Sequence, residues 1–240
     1  MVPLRDENPT EITPYFTVAL IALNVAAWFL LQGAGSPAAL EASVVIFGTY
    51  PCEITLACPV EGFRWGTLLT SMFMHGSWEH IIGNMLFLWV FGNNIEDSMG
   101  HLRFLVFYLV CGVAAGLAHV WFLPASPVPT VGASGAISGV MGAYVVLYPR
   151  ARVHVWFPPI FFFALNAFVV LGYWFFVQLM SGMVTFGPEA GESGGVAVWA
   201  HVGGFVAGVL LIKMFEKPRL TSAKRNKVQL SREEVARLEW

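Results

Sequence analysis

The sequence Gly132-Ala133-Ser134-Gly135-Ala136-Ile137-Ser138-Gly139 places a serine among small residues at the start of an apolar run. A second apolar run, nearer the C-terminus, contains His201. Both runs carry small residues at four-residue intervals, and residues at this spacing share one face of a helix. The two rows are Gly135, Gly139 and Ala143, and Ala200, Gly204 and Gly208. Because small-residue faces let helices approach closely in a membrane, we expect these two helices to be in contact, with Ser134 beside His201.

The composition is that of a membrane protein. Of the 240 residues, 57% are hydrophobic and 12% are charged, whereas about a quarter of the residues of a soluble domain are charged. The sequence contains no CxxC pair, no HExxH motif and no glycine-rich phosphate loop. Neither a metal nor a nucleotide cofactor is therefore expected.

Six apolar runs are candidates for membrane-spanning helices, which need ~20 residues each to cross the bilayer. The second and fourth are short and extend at their outer ends only through polar or small residues, which favours positions facing protein or water. The predicted fold is an all-α membrane protein, a bundle of six transmembrane helices. The six runs are Tyr15–Gln32, Ile81–Phe91, Phe104–Leu123, Gly135–Tyr148, Val155–Met180 and Val196–Phe215.

The distribution of Lys and Arg predicts the orientation of the chain. Alternate connections between the runs contain Arg103, then Arg150 and Arg152, then a basic tail, whereas the opposite connections contain only Arg64. Both termini are therefore expected to be cytoplasmic, and the second, fourth and sixth helices are expected to be parallel. The N-terminal segment has no pattern of a signal or transit peptide, which favours a bacterial cytoplasmic membrane. The predicted division is a cytoplasmic lead (1–13), a six-helix membrane domain (14–216) and a basic cytoplasmic tail (217–240).

Polar side chains inside apolar helices are costly, so each is expected to have a partner or a function. His80 and Asn84 are four residues apart and lie on one face of the second helix. At ~1.5 Å per residue, His80, Ser134 and His201 each lie about 18–22 Å from the inner end of their helix. The three groups are therefore predicted to meet at one depth, nearer the outer surface.

A serine beside a histidine is suited to nucleophilic catalysis. His201 as general base would accept the proton of Ser134, and Ser134 would attack a carbonyl carbon. No carboxylate is placed to orient the imidazole, so a dyad is expected rather than a triad. The donors available to an oxyanion are His80, the side-chain amide of Asn84 and the backbone N–H of Ser134.

Structural roles remain open for these residues. A serine in an apolar helix often donates to its own backbone, and a lone buried histidine is often a structural hydrogen bonder. Ser138 and His75 are interpreted in this way, as packing or outer-rim polar groups. Common depth, parallel helices and facing small-residue rows favour a site for Ser134, His201, His80 and Asn84 taken together.

The three cysteines do not suggest a catalytic thiol. Cys52 and Cys58 lie in the predicted outer loop, and the sequence leaves open whether they form a disulfide or remain free thiols. Cys111 lies within the third apolar run and is interpreted as a small packed hydrophobic residue.

Three motifs follow one another along the chain. One is Gly132-Ala133-Ser134-Gly135. It is preceded along the chain by His75-Gly76-Ser77-Trp78-Glu79-His80-Ile81-Ile82-Gly83-Asn84 and followed by Ala200-His201-Val202-Gly203-Gly204 continuing to Gly208. In this combination they resemble the GxSG, HxxxxHxxxN and catalytic-histidine motifs of the rhomboid family of intramembrane serine proteases. The resemblance extends from about Pro14 to Phe215.

The resemblance implies a function and assigns roles to residues. Ser134 would be the nucleophile, His201 the general base, and His80 and Asn84 the residues that stabilise the oxyanion. The chain would be a serine endopeptidase that cleaves transmembrane segments of other membrane proteins near their outer ends. Its partners would be those substrates and the lipid bilayer, with no cofactor, no metal and no nucleic acid.

Two features depart from the family pattern or stay open. Some members have a tyrosine four residues after the nucleophile, stacked on the histidine, whereas this chain has Ser138, so the support of the His201 ring is not identified. The fifth run, aromatic and with Pro158-Pro159 at its start, is a candidate substrate gate, and the glycine-rich loop at 182–195 a candidate cap.

Two alternative functions are kept. The first is a non-catalytic rhomboid-like membrane protein that binds membrane-protein clients, against which the intact Ser134, His201, His80 and Asn84 argue. The second is a small transporter, which predicts internal repeats and broken helices. No convincing repeat relates the two halves of the sequence.

Overall fold

The computed structural model describes residues 1–59, 64–184, 197–225, 228 and 230–240. Within these residues the chain is mostly helical, with a small sheet. The helices are α1 Tyr15–Leu30, α2 Pro37–Phe47, α3 Pro51–Ile54, α4 Thr67–Thr70, α5 Trp78–Met99, α6 His101–Phe122, α7 Ser134–Leu147, α8 Ala167–Val184, α9 Val198–Phe215, α10 Pro218–Arg225 and α11 Arg232–Leu238. The strands are β1 Val2–Asp6, β2 Arg152–Phe157 and β3 Phe161–Asn166.

Each of the six predicted apolar runs overlaps one long helix, and several of these helices extend beyond the run. The six helices are α1, α5, α6, α7, α8 and α9. Among the described residues, α6 and α9 are long and apolar enough to cross a membrane, with mean hydropathies of 2.0 and 1.7. Helices α1 and α7 are shorter, at 16 and 14 residues. The number of six membrane spans therefore stays a prediction.

The prediction of an all-α fold is wrong, because the chain also forms a three-stranded antiparallel sheet in the order β1-β2-β3. The first part of the fifth run is not helical. It forms a hairpin of β2 and β3, and α8 begins only at Ala167. Pro158 and Pro159 lie between the two strands, where a helix would lose backbone hydrogen bonds. The aromatic and β-branched residues on either side favour the extended conformation.

The two terminal segments are also structured. Strand β1 lies within the predicted N-terminal lead and pairs with β2, with Val2 opposite Trp156 and Asp6 opposite Val153. In the basic tail, α11 begins with a capping box between Ser231 and Glu234.

Two adjacent carboxylates of α5 bind the start of the chain. Glu96 accepts hydrogen bonds from the backbone of Phe16 and Thr17 in the first turn of α1, where a negative charge is favourable. Asp97 accepts from the backbone N–H groups of Glu11 and Ile12, each at 2.8 Å. The sheet, these carboxylates and the tail helices lie at the end of the bundle where α5 and α7 end, which we call the basic end.

The expected contact between the two small-residue faces is present and lies at the centre of the bundle. A Cβ atom added at Gly204 would overlap the carbonyl oxygen of Gly135, and one added at Gly208 would overlap that of Gly139. Helix α7 is also close to α6, since a Cβ at Gly139 would overlap Cys111. The backbones of α7 and α9 can approach this closely only because neither helix has side chains at the contact.

The structure distinguishes between the two alternatives left open for Cys52 and Cys58. Cys52 and Cys58 form a disulfide, with an S–S distance of 2.12 Å, in the segment between α1 and α5. Cys111 is a free thiol that is fully buried in α6.

Candidate active site

Ser134 is the first residue of α7. The preceding turn is fixed by paired backbone hydrogen bonds between Thr49 and Thr130 and by a 2.9 Å bond from the N–H of Gly132 to the carbonyl of Ser71. Gly132 has a φ of +126°, which L-amino acids with a side chain rarely adopt. The glycine of this motif thus allows the chain to turn sharply into the helix that starts with the serine.

His201 is the fourth residue of α9, with 8% of its surface exposed. Its Nε2 atom lies 2.7 Å from the Oγ atom of Ser134. The close packing of α7 on α9 brings the two residues together. The structure therefore places a hydroxyl and an imidazole within hydrogen-bond distance of each other in a largely buried position.

The other nitrogen of the His201 ring is held by α8. Its Nδ1 atom lies 2.8 Å from the Oε1 atom of Gln178. A carbonyl oxygen can only accept, so Nδ1 carries the proton and donates it. In the neutral ring, Nε2 is then an acceptor, and it receives the hydrogen bond from the hydroxyl of Ser134. The imidazole is thereby held in the tautomer that a general base needs.

The ring also has an aromatic neighbour. Trp174 lies one helical turn before Gln178, and its ring centroid is 5.7 Å from that of His201. Neither Trp174 nor Gln178 was predicted from the sequence as part of the site. The available signal was the single side-chain amide of α8, four residues after a tryptophan.

His80 lies on the opposite side of the serine from α8. Its Nδ1 atom accepts a 3.3 Å hydrogen bond from the N–H of Gly76, so the proton of the neutral ring is on Nε2. A Cβ atom added at Gly132 would be 2.7 Å from His80 Nε2 and 3.5 Å from Ser134 Oγ. The His80 N–H is thus directed at the space next to the nucleophilic oxygen.

Asn84 is one turn further along α5 and is 8% exposed. Its side-chain nitrogen is buried and has no hydrogen-bond partner among the described residues. Buried N–H groups are normally paired, because an unpaired one costs free energy. An amide donor that is left free is suited to a ligand that carries a negatively charged oxygen.

Of the two residues given structural roles, Ser138 forms the expected hydrogen bond, whereas both ring nitrogens of His75 are buried without a hydrogen-bond partner among the described residues. The hydroxyl of Ser138 donates to the carbonyl of Ser134 at 2.6 Å, one turn back along α7. His75 is fully buried, and its backbone N–H donates to Gln32 at 2.8 Å. His75 packs edge-on against His80, with ring centroids 5.1 Å apart.

A small cavity lies beside Ser134. The serine lines it together with Ser71, Thr130 and Gly132, and its volume of about 30 Å³ is enough for one water molecule. No group of three or more His, Cys, Asp and Glu side chains in the described part of the chain is arranged to hold a metal ion.

The structure thus joins a partly buried Ser134 to a buried His201 near the N-terminal ends of two closely packed apolar helices. The chain belongs to the rhomboid family, because the Rhomboid domain matches residues 62–217, from just before α4 to just after α9. The family consists of integral membrane proteins and includes intramembrane serine proteases.

Curated relatives from bacteria, plants and animals are similar to parts of this chain. The Rhomboid protease GluP of Bacillus subtilis is 39% identical over 139 residues, covering 57% of this chain and 26% of the relative. The chloroplastic Rhomboid-like protein 11 of Arabidopsis thaliana is 36% identical over 83 residues, covering 35% and 29%. The mitochondrial presenilin-associated rhomboid-like protein of Homo sapiens is 30% identical over 158 residues, covering 63% and 39%. The chain thus matches well under half of the length of each of these relatives.

Proposed function

We propose that this chain is an intramembrane serine endopeptidase that uses Ser134 as nucleophile and His201 as general base. The single observation that carries the proposal is the chain of hydrogen bonds from Ser134 through His201 to Gln178, at 2.7 and 2.8 Å. A histidine with a purely structural role would need only one of these hydrogen bonds. The two hydrogen bonds together set the tautomer of the His201 ring and direct its basic nitrogen at the hydroxyl of Ser134.

In the first half of the reaction, Ser134 Oγ attacks the carbonyl carbon of the scissile peptide bond while its proton passes to His201 Nε2. The proton is then given to the leaving amine as the C–N bond breaks. An acyl-enzyme on Ser134 results. Gln178 holds the ring in position throughout, but as a neutral group it supplies no full charge to the imidazolium.

The negative charge of the tetrahedral intermediate would be stabilised by three hydrogen-bond donors. His80 Nε2 and Ser134 Oγ both lie next to the space in front of Gly132, at 2.7 and 3.5 Å from a Cβ atom placed there. The amide nitrogen of Asn84, one turn further along α5, has no partner among the described residues, and the N–H of Ser134 has no acceptor within α7 because it begins the helix. Each such donor contributes roughly 10²–10³-fold to the rate in comparable hydrolases.

In the second half, water attacks the acyl carbonyl while His201 Nε2 accepts its proton, and His201 then donates this proton to Ser134 Oγ as the acyl C–O bond breaks, which restores the neutral dyad. The small cavity beside Ser134 is large enough for one such water molecule. A site inside a membrane protein needs a defined place for water, because the surrounding helices and lipid exclude it.

The substrates proposed are transmembrane segments of other membrane proteins, cleaved near their outer ends. The site lies at the N-terminal ends of α5, α7 and α9, away from the basic end of the bundle. With the basic end in the cytoplasm, both termini are cytoplasmic and the site faces outward. The chain then divides into a cytoplasmic segment (1–13), a membrane domain (14–216) and a cytoplasmic tail (217–240), in what we propose is a bacterial cytoplasmic membrane.

Within the fifth apolar run, the proposed substrate gate is helix α8. Helix α8 carries Gln178 and Trp174, so any movement of α8 that admits a substrate also changes the support of His201. The candidate cap at 182–195 lies, from residue 185 onward, outside the described residues.

The proposal is tested with a fluorophosphonate probe, which reacts with activated serines. The purified protein in detergent should be labelled, and peptide mapping should locate the label on Ser134. Ser134→Ala and His201→Ala should abolish labelling, whereas Ser138→Ala, which removes a hydroxyl one turn away, should retain it. Equal labelling of the native protein and of Ser134→Ala would exclude this serine as the nucleophile.

A further inference from the structure

The hairpin formed by β2 and β3 ends in an unusually apolar tip, which we define as residues 156–163. Four consecutive large hydrophobic side chains are exposed there: Ile160 by 71%, Phe161 by 55%, Phe162 by 66% and Phe163 by 48%. The sequence of the tip, Trp156-Phe157-Pro158-Pro159-Ile160-Phe161-Phe162-Phe163, contains no charged residue. Exposed apolar patches of this kind mark surfaces that contact another apolar phase or a partner.

The base of the hairpin is held firmly by the bundle. Val153 and Val155 of β2 are fully buried in the main hydrophobic core. On its other side, β2 is paired with β1, and β3 pairs with β2 along its whole length, from Arg152–Asn166 to Phe157–Phe161. The exposure of the tip is therefore a property of an ordered element that is anchored at one end.

The base of the hairpin leads directly into a helix with an exposed apolar surface. The hairpin connects the end of α7 to the start of α8, and α8 begins at Ala167, directly after β3. The first turn of α8 continues the apolar surface with Phe168 and Val169, which are 65% and 50% exposed. In a bundle that crosses a bilayer, these residues of α8 face acyl chains. Between the tip and these residues the chain contains Ala164 and Leu165, which are partly buried, the exposed Asn166 and the buried Ala167.

The charges of the hairpin are confined to its base. Arg150 and Arg152 are exposed and lie where α7 passes into β2, at the opposite end of the strands from the tip. Aromatic side chains prefer the boundary between acyl chains and headgroups, and nearby arginines favour anionic headgroups. This combination of an aromatic tip and a basic base is complementary to a membrane surface and not to a soluble partner.

We propose that the tip of the β2–β3 hairpin inserts into the interfacial region of the bilayer leaflet at the basic end of the bundle. Arg150 and Arg152 would contact the lipid headgroups, while Phe161 and Phe162 would lie among the upper acyl chains. The hairpin would thus be a second type of membrane contact, in addition to the helices. The inference does not depend on the proposed hydrolysis, because it rests on the sheet and on α8 alone.

The test uses a polarity-sensitive fluorophore on a single introduced thiol. Phe162→Cys places it at the tip, and Asn166→Cys is the matched control, because the two positions are on the same face of β3 and both are exposed. The native cysteines do not interfere, since Cys52 and Cys58 are bonded to each other and Cys111 is buried. Each labelled protein is placed in nanodiscs of phosphatidylcholine and phosphatidylglycerol, which expose both faces to solvent.

Quenching by brominated lipid and by aqueous iodide is then compared. The proposal predicts that brominated lipid quenches the probe at residue 162 several-fold more strongly than the probe at residue 166, and that iodide shows the opposite order. Equal access of iodide to both probes would overturn it. A probe at residue 162 that is shielded from iodide and from brominated lipid alike would also overturn it, because a protein surface would then cover the tip.

Discussion

At the scale of single residues, the central feature is that His201 has a partner on each ring nitrogen. Ser134 is bound to Nε2 and Gln178 to Nδ1. In a Ser-His-Asp triad the second partner is a carboxylate, which both orients the ring and stabilises its positive charge. Here the amide can perform the first task only, so the proposed site is a dyad with an orienting residue.

The role of Gln178 can be separated from packing with two substitutions. Gln178→Leu keeps the volume but removes the acceptor, and kcat is expected to fall about tenfold or more with little change in KM, since a general acid–base group that is misplaced costs ~10²–10⁴-fold. Gln178→Glu retains an acceptor oxygen and should restore most of the rate. If both variants are equally impaired, Gln178 does not act through this hydrogen bond. The measurement is steady-state cleavage of a membrane substrate in liposomes.

Asn84 provides a prediction in which activity and stability separate. Because its side-chain nitrogen has no partner among the described residues, Asn84→Ala removes no hydrogen bond of that nitrogen from the folded protein, and the thermal midpoint should not fall. The loss of a donor to the oxyanion should lower kcat by about 10²-fold. A variant that loses stability while keeping its rate would show that Asn84 has a structural role instead.

Gly132 keeps open the space between His80 and Ser134. In Gly132→Ala the new methyl group would lie 2.7 Å from His80 Nε2, so we expect cleavage to fall by about 10²-fold, as for the loss of one oxyanion donor. Gly83→Ala is the control, because no described atom lies within 4 Å of a Cβ at that position. Normal cleavage by Gly132→Ala would argue against an oxyanion site at this point.

The sequence predicted part of this site and not all of it. Ser134, His201, His80 and Asn84 could be grouped because their spacing placed them at one depth on parallel helices. Gln178 could not, because its contact depends on how α8 is rotated against α9. The fifth run lacks a row of small residues that would fix that rotation, and one glutamine in an apolar helix is a weak signal.

At the scale of elements, the packing of α7 on α9 decides the geometry of the site. The glycines of the two helices face each other with backbone against backbone, so the position of His201 relative to Ser134 depends on these residues. The rows of small residues were visible in the sequence, and the contact that they predicted is present.

The hairpin of β2 and β3 was not predicted. Its partner β1 is about 150 residues away in sequence, and a short alternating pattern is hard to recognise within a long apolar run.

The helix contact predicts opposite effects for two glycine substitutions. Gly208→Ala should lower the stability of the protein by about 1–3 kcal/mol, the usual cost of overpacking a core, because the methyl group would overlap the backbone of Gly139. Gly172→Ala, in α8, has no described atom within 4 Å of its Cβ. It should raise stability slightly, by up to ~1 kcal/mol, since alanine is the better helix former. Thermal unfolding in detergent measures both, and equal effects would contradict the close contact.

At the scale of the whole molecule, the basic end of the bundle connects both termini to the helices. Asp97 of α5 binds the N-terminal segment through the N–H groups of Glu11 and Ile12, and Lys224 of α10 through a 2.8 Å ion pair. Burial lowers the pKa of Lys224 from its ordinary value of 10.5, and the charge of Asp97 opposes this effect. The N-terminal segment, α5 and the tail thus share one buried charged cluster.

Two ion pairs of equal length allow the cluster to be tested. The pair of Lys224 and Asp97 is 4% and 3% exposed, whereas that of Arg219 and Glu234 is 66% and 41% exposed, and both are 2.8 Å long. Asp97→Asn removes the ion-pair partner of a buried lysine, with only the charges of Asp6 and Glu11 left to act on it, and should cost up to about 3–5 kcal/mol. Glu234→Gln, the same chemical change at the surface, should lower stability much less, because solvent screens the exposed pair.

The loss in Asp97→Asn is expected to depend on pH in a defined direction. The pKa of Lys224 is already lower in the folded protein than in the unfolded chain, and it falls further without Asp97. Between the two pKa values the unfolded chain binds more protons, so stability rises with pH. The deficit of the variant should therefore shrink as the pH is raised toward 10.5. A deficit that is constant with pH would show that Lys224 is not the source of the cost.

The most direct test of the proposed function is cleavage of a model transmembrane substrate by the purified protein in liposomes. The native protein should give one defined product, with the cut near the outer end of the substrate helix, while Ser134→Ala and His201→Ala should give none and Ser138→Ala should remain active. Product formed equally by the native protein and by Ser134→Ala would contradict the account at its centre.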